Sequence, residues 1–185
     1  MSSYSHQDYT RKWAHITRLP VVSIDYRLAP EFPYPIPFLD CYNAYKYIIE
    51  RAEEHLGGKP TCIVITGDSA GGGLAASVTL KAISENLLYR KSSNDSTPAP
   101  PPIPDRCLLS YPALNMSLFE LLPSRLCAFR DQVLPFAFLM MCLRSYIPSD
   151  LVNEVDCHPF LSPVHANSEM LDLFPPTFIT CGTSD

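Results

Sequence analysis

The sequence predicts an α/β fold, a mostly parallel sheet with helices on both faces, on three observations. Short β-branched runs alternate with longer stretches at helical spacing, the pattern of strand–helix–strand crossovers. Two of these runs end in glycine-bearing turns, where functional loops of such sheets gather beyond the C-terminal strand ends. The run Cys62-Ile63-Val64-Ile65 leads into Gly67-Asp68-Ser69-Ala70-Gly71-Gly72. That order of strand, tight turn and helix start lifts a serine hydroxyl above a sheet.

The elements follow in order. Residues from about Gln7 to Ile16 read as an amphipathic helix with Tyr9, Trp13 and Ile16 on one face. Val21-Val22-Ser23-Ile24-Asp25-Tyr26 reads as a strand, and residues 27–37 as a proline-studded loop. A long helix is expected from about Phe38 to Leu56, with Leu39, Tyr42, Tyr45, Ile48 and Ile49 in its apolar stripe and Gly57-Gly58 as its stop. The elbow strand is expected over residues 61–66, and the helix after it to about Leu88. Residues 91–104, rich in serine and proline, read as a solvated surface loop. Cys107-Leu108-Leu109-Ser110-Tyr111 reads as the next strand. The stretch from about Pro135 to Tyr146 is so apolar that it needs cover on most sides, as a core helix or as a lid or acyl-pocket helix. Thr177-Phe178-Ile179-Thr180-Cys181 reads as a last short strand before Gly182-Thr183-Ser184-Asp185. A parallel arrangement puts Ser69 and Asp185 at one rim.

The bulk numbers exclude some functions. A chain of 185 residues suffices for one domain with a real core. A net charge of −5 suggests no nucleic-acid partner, and no basic run is long enough to bind an anionic membrane by charge alone. The start, Met1-Ser2-Ser3-Tyr4-Ser5-His6, lacks the apolar core of a signal peptide, and no apolar stretch reaches transmembrane length. The seven cysteines are scattered without a C-x-x-C pair, which favours buried, reduced thiols in a cytosolic protein over disulfides or zinc.

Ser69 is the candidate nucleophile. Gly67 and Gly71 flank it because side chains there would collide with the adjoining strand and helix, and Gly71 and Gly72 let the backbone approach a substrate. The helix that starts at the serine points its free N–H groups and positive dipole end at a reacting carbonyl.

Together, Asp25-Tyr26-Arg27-Leu28-Ala29-Pro30-Glu31, Gly67-Asp68-Ser69-Ala70-Gly71-Gly72 and Pro175-Pro176 leading through a strand to Asp185 resemble the hormone-sensitive lipase family of α/β-hydrolases. Ser110-Tyr111-Pro112-Ala113, Pro123-Ser124-Arg125-Leu126 and Leu161-Ser162-Pro163 look closest to the eukaryotic hormone-sensitive lipases. The resemblance implies an α/β-hydrolase fold, incomplete at both ends, in a single partial catalytic domain over residues 1–185. It implies Ser69 as nucleophile, the N–H of Ala70 as an oxyanion-hole donor and Asp185 as the triad acid. Asp25, Arg27 and Glu31 are expected to brace the pocket. The implied reaction is serine-mediated hydrolysis of acylglycerols or other carboxylic esters through an acyl-enzyme, with no metal or organic cofactor. The implied setting is cytoplasmic, with lipid-droplet or membrane-surface association left open.

Two parts of the family pattern are missing from this sequence. It has no H-G-G-G string to supply further oxyanion donors, and no histidine follows Asp185 in the Ser–acid–His order of α/β-hydrolases. His6, His15, His55, His158 and His165 all precede the acid. The expectation is a fragment or incomplete gene model that is inactive or nearly so alone, because an unactivated serine is a poor nucleophile at neutral pH. Rival readings are a non-catalytic ligand- or partner-binding protein on this fold, as in the plant gibberellin receptors that resemble the family, and an amidase like arylacetamide deacetylase.

Overall fold

The computed structural model describes residues 3–92, 98–118, 129 and 134–182, with residues 3–5 as backbone only. Helix α1 (Ser3–Thr17) is followed by an irregular segment, then α2 (Ile36–Glu50) and α3 (Ala52–Leu56). Strand β1 (Val64–Asp68), helix α4 (Ala70–Lys91) and strand β2 (Arg106–Ser110) form the centre. Helix α5 (Phe136–Tyr146), two 3₁₀ turns (Val155–Cys157 and Pro163–His165), the short α6 (Ser168–Leu171) and strand β3 (Thr177–Thr180) follow.

The three strands pair in parallel in the order β1-β2-β3. Asp68 lies level with Ser110, and Ser110 with Thr180. All three strands therefore end at one rim, and the residues after them leave from it. Helix α4 crosses the sheet face that carries Ile65, Cys107 and Leu109. Its small residues Ala75 and Ala76 permit that close approach, while Leu80 and Ile83 are fully buried further along it. Burying one such side chain stabilises the fold by roughly 1.5–3 kcal/mol.

Helix α2 packs on α4 through Phe38, Cys41, Tyr42 and Tyr45, which join Leu74, Val78 and Ala82 in the main core. Proline in its first turn lacks the N–H that a helix start leaves unpaired anyway. Tyr42 donates to Glu85 at 2.6 Å, and Lys81 pairs with the same carboxylate at 3.2 Å, tying α2 to α4.

Several expectations need correction. Residues 21–26 form no strand: they pair with none of the three strands, and Val21, Val22 and Ile24 are exposed. An extended β-branched run becomes a strand only beside a ladder partner. The helix expected over 38–56 is two helices, broken at Arg51, whose backbone (φ −108°, ψ 20°) leaves the helical region. Gly57 does stop it, in the left-handed conformation at φ 79°. The elbow strand lies at 64–68 rather than 61–66, and Tyr111 falls just outside β2 with φ 36°. Helix α5 is not covered on most sides by the described residues. Leu143 is buried and Leu139, Met140 and Tyr146 pack on the core, yet Phe138 and Met141 are exposed.

The cysteines divide. Cys41 and Cys107 are buried, and burial pushes the Cys41 thiol up to about 12. Cys62, Cys142, Cys157 and Cys181 are exposed, against the expectation of burial. Cys127, the string 123–126 and residues 93–97 lie outside the described residues. Of the expected solvated loop over 91–104, Lys91 belongs to α4, and Pro101 and Pro104 are buried beside Ile103, which packs on the core. No helix among the described residues is long and apolar enough to cross a membrane.

Candidate active site

The turn from β1 into α4 dictates the geometry of Ser69. The strand must reverse into a helix within one residue, so Ser69 takes φ 52° and ψ −120°. That conformation costs a residue with a Cβ on the order of 1–3 kcal/mol and persists only where its surroundings enforce it. They do: the Ser69 N–H donates to the carbonyl of Ser110 at 2.9 Å, and its carbonyl accepts from Ala113 at 3.0 Å and Gly73 at 3.2 Å. The end of β2 and the loop after it thus clamp both sides of the residue. Ser69 and Ala70 are exposed at the rim.

Gly67 and Gly72 are steric requirements. A Cβ on Gly67 would sit 2.2 Å from the Gly71 carbonyl oxygen, and one on Gly72 would sit 2.9 Å from the Pro112 side chain. Gly71 is a correction to the expected collision: a Cβ there would meet nothing, because the helix start is open on that side. The first N–H groups of α4, beginning with Ala70, have no carbonyl within their own helix to bond and carry its positive dipole end.

Asp68 ends β1 on the sheet face opposite α4, as the alternation of side chains along a strand requires. Tyr9 donates to its Oδ1 at 3.4 Å, Tyr111 to its Oδ2 at 3.3 Å, and His6 Nε2 lies 3.8 Å from Oδ2. Partial burial and then the Asp68 charge raise the Tyr9 hydroxyl above its ordinary value.

Asp185 lies outside the described residues, but the described chain reaches Gly182 past the end of β3, at the rim that carries Ser69. Among the described residues, the Ser69 hydroxyl makes no hydrogen bond to a histidine. His6 faces Asp68, His55 contacts the Tyr47 hydroxyl at 3.1 Å, His158 pairs with Glu154 and His165 with Asp156. Arg27 is bound at 2.7 Å by Asp40, a partner that sequence reasoning did not identify. The same reasoning missed the clamp made by Ser110, Pro112 and Ala113. Its one signal was the Ser110-Tyr111-Pro112-Ala113 string at the end of a strand.

A family model described as the alpha/beta hydrolase fold matches residues 1–185. The chain is 33% identical over 158 residues to hormone-sensitive lipase of Bos taurus, which covers 85% of this chain and 18% of that lipase. It is 34% identical over 142 residues to arylacetamide deacetylase of Oryctolagus cuniculus, covering 76% of this chain and 32% of the relative. Among solved structures, a hyperthermophilic esterase from Pyrobaculum calidifontis superposes with a TM-score of 0.75 at 30% identity, over 97% of this chain and 51% of that one. The chain thus spans about a fifth of the lipase and about half of the esterase. With the match running over its whole length, the chain belongs to the α/β-hydrolase family and is similar within it to the hormone-sensitive lipases.

Proposed function

We propose that this chain carries the nucleophile side of a serine carboxylic ester hydrolase. The observation that supports it best is the strained, exposed Ser69, clamped by three backbone hydrogen bonds at the head of a 22-residue helix. Strain at a solvent-facing serine has no packing purpose and is characteristic of functional sites. In this reading Ser69 Oγ attacks the ester carbonyl. The oxygen that becomes negative is met by the Ala70 N–H, and the alcohol departs with a proton. Water then attacks the acyl-serine, releases the acid and restores the hydroxyl. Asp185 is assigned to orient a histidine that accepts and returns the proton. No described histidine takes that place, so turnover by the 185 residues alone is expected to be slow.

The proposed substrates are acylglycerols or other acyl esters, in keeping with the lipase and esterase relatives, in a cytoplasmic setting. The similarity to arylacetamide deacetylase supports amide substrates as a second reading. The experiment is reaction with a fluorophosphonate followed by peptide mapping, beside hydrolysis of a short acyl ester. One adduct on Ser69, lost in Ser69→Ala, is the expected result. No adduct would favour a non-catalytic ligand-binding protein on this fold.

A further inference from the structure

The carboxylate beside the nucleophile holds more than the turn it belongs to. The polar contacts that tie residues 6–17 to the rest of the described fold all end on Asp68, through Tyr9 and His6. From the other side Tyr111 reaches the same carboxylate, and Tyr111 is itself one of three described non-glycine residues with positive φ. Two of those three, Ser69 and Tyr111, directly follow β1 and β2 at the rim. The hydroxyls of Tyr9 and Tyr111 approach separate oxygens of Asp68, at 3.4 and 3.3 Å, so neither displaces the other from the carboxylate.

Helix α1 needs such an anchor. A helix of 15 residues is marginal in water by itself, and α1 leaves Ile16 76% exposed and Trp13 38% exposed. Little apolar burial is therefore available to hold it. Its aromatic row runs from His6 to Tyr9 to Trp13, with ring centroids 5.3 and 4.8 Å apart. Through Tyr9 this row connects to the residue next to Ser69.

We propose that Asp68 is a positioning residue that pins α1 and the loop after β2 beside the nucleophile, through Tyr9, His6 and Tyr111. The anchor itself rests only on these contacts; its effect on Ser69 rests on the serine-hydrolase reading. A charge held by two hydroxyls on the sheet face away from α4 keeps the elbow in one orientation. Released, Asp68 and the serine after it gain alternatives, and a misplaced nucleophile reacts more slowly.

Trp13 is the only tryptophan in the chain and reports on α1 directly. The experiment compares wild type, Asp68→Asn, Tyr9→Phe and the double variant, by acrylamide quenching of Trp13 and by the rate of Ser69 phosphonylation at saturating and subsaturating fluorophosphonate. Tyr9→Phe removes one oxygen and keeps the ring, so it holds the test open if Asp68→Asn folds poorly. The expected result is greater quenching in both single variants and a double variant no worse than Asp68→Asn. The maximal phosphonylation rate is expected to fall about tenfold with little change in probe affinity, as for a displaced reacting group. Unchanged Trp13 quenching in both single variants would overturn the anchor. Unchanged rates with increased quenching would overturn the positioning role. Wild type that never reacts at Ser69 would refute the hydrolase reading and the positioning role with it, while Trp13 still decides the anchor.

Discussion

Two β-branched runs in this chain look alike and fold differently. Ile63-Val64-Ile65-Thr66 enters the sheet from Val64 onward, whereas Val21-Val22-Ser23-Ile24 remains irregular and exposed. The first lies beside β2, with Val64 level with Arg106 and Ile65 level with Cys107, and under α4. The second has no strand beside it in the described fold. Propensity proposes an extended chain in both places, and only a ladder partner with a covering helix turns it into a strand. The same contrast separates α4, with Leu80 and Ile83 inaccessible to solvent, from α1, with Ile16 in water.

The contrast can be broken most severely at α4. Leu80→Ala leaves a cavity in the best-packed part of the molecule and is expected to cost about 2–5 kcal/mol, read by urea denaturation. Gly67→Ala drives a Cβ into the Gly71 carbonyl, where no flexible side chain can yield, so a loss of about 3 kcal/mol is expected, near the upper end of overpacking costs.

A smaller effect depends on pH. Burial works to raise Glu85, but its hydrogen bonds from Tyr42 and Lys81 and the nearby lysine charges leave it below its ordinary value of 4.5. A carboxyl lowered by folding contributes stability that is present above that value and lost as pH falls through the lower folded one. Glu85→Gln is therefore expected to flatten the acid limb of a stability–pH curve below about 4.5 while leaving its shape near neutrality unchanged.

Ser69→Gly has the opposite sign. Relieving the φ 52° strain is expected to stabilise the fold by roughly 1 kcal/mol while abolishing reaction with a fluorophosphonate. A destabilised Ser69→Gly would mean that the serine side chain packs rather than waits. At the bottom of the scale, Val22→Ala is expected to change stability by less than about 0.5 kcal/mol, since it removes contacts from an exposed, unpaired segment.

The elbow could be read from residues alone because its demands are local. Gly67 and Ser69 are fixed by a single tight reversal, so their spacing carries the information. The parallel sheet and α4 were equally legible, since both follow from hydrophobic period. The partners were not. Nothing in residues 21–26 says whether a strand will lie beside them, and nothing around Arg51 marks a helix break. Asp68 meets Tyr9 and Tyr111 across 59 and 43 residues of chain, a convergence that only the packed fold creates. Helix α5 shows the same limit, since an apolar sequence fixes the need for cover but not which neighbours supply it.

The most direct measurement is the site of fluorophosphonate attachment on the 185-residue chain, mapped by mass spectrometry in wild type and Ser69→Ala. A strained serine at a helix start, with no described histidine against it, is expected to give one slow adduct on Ser69 that disappears in the variant. No adduct, or an adduct that survives Ser69→Ala, would contradict the assignment of Ser69 as the nucleophile.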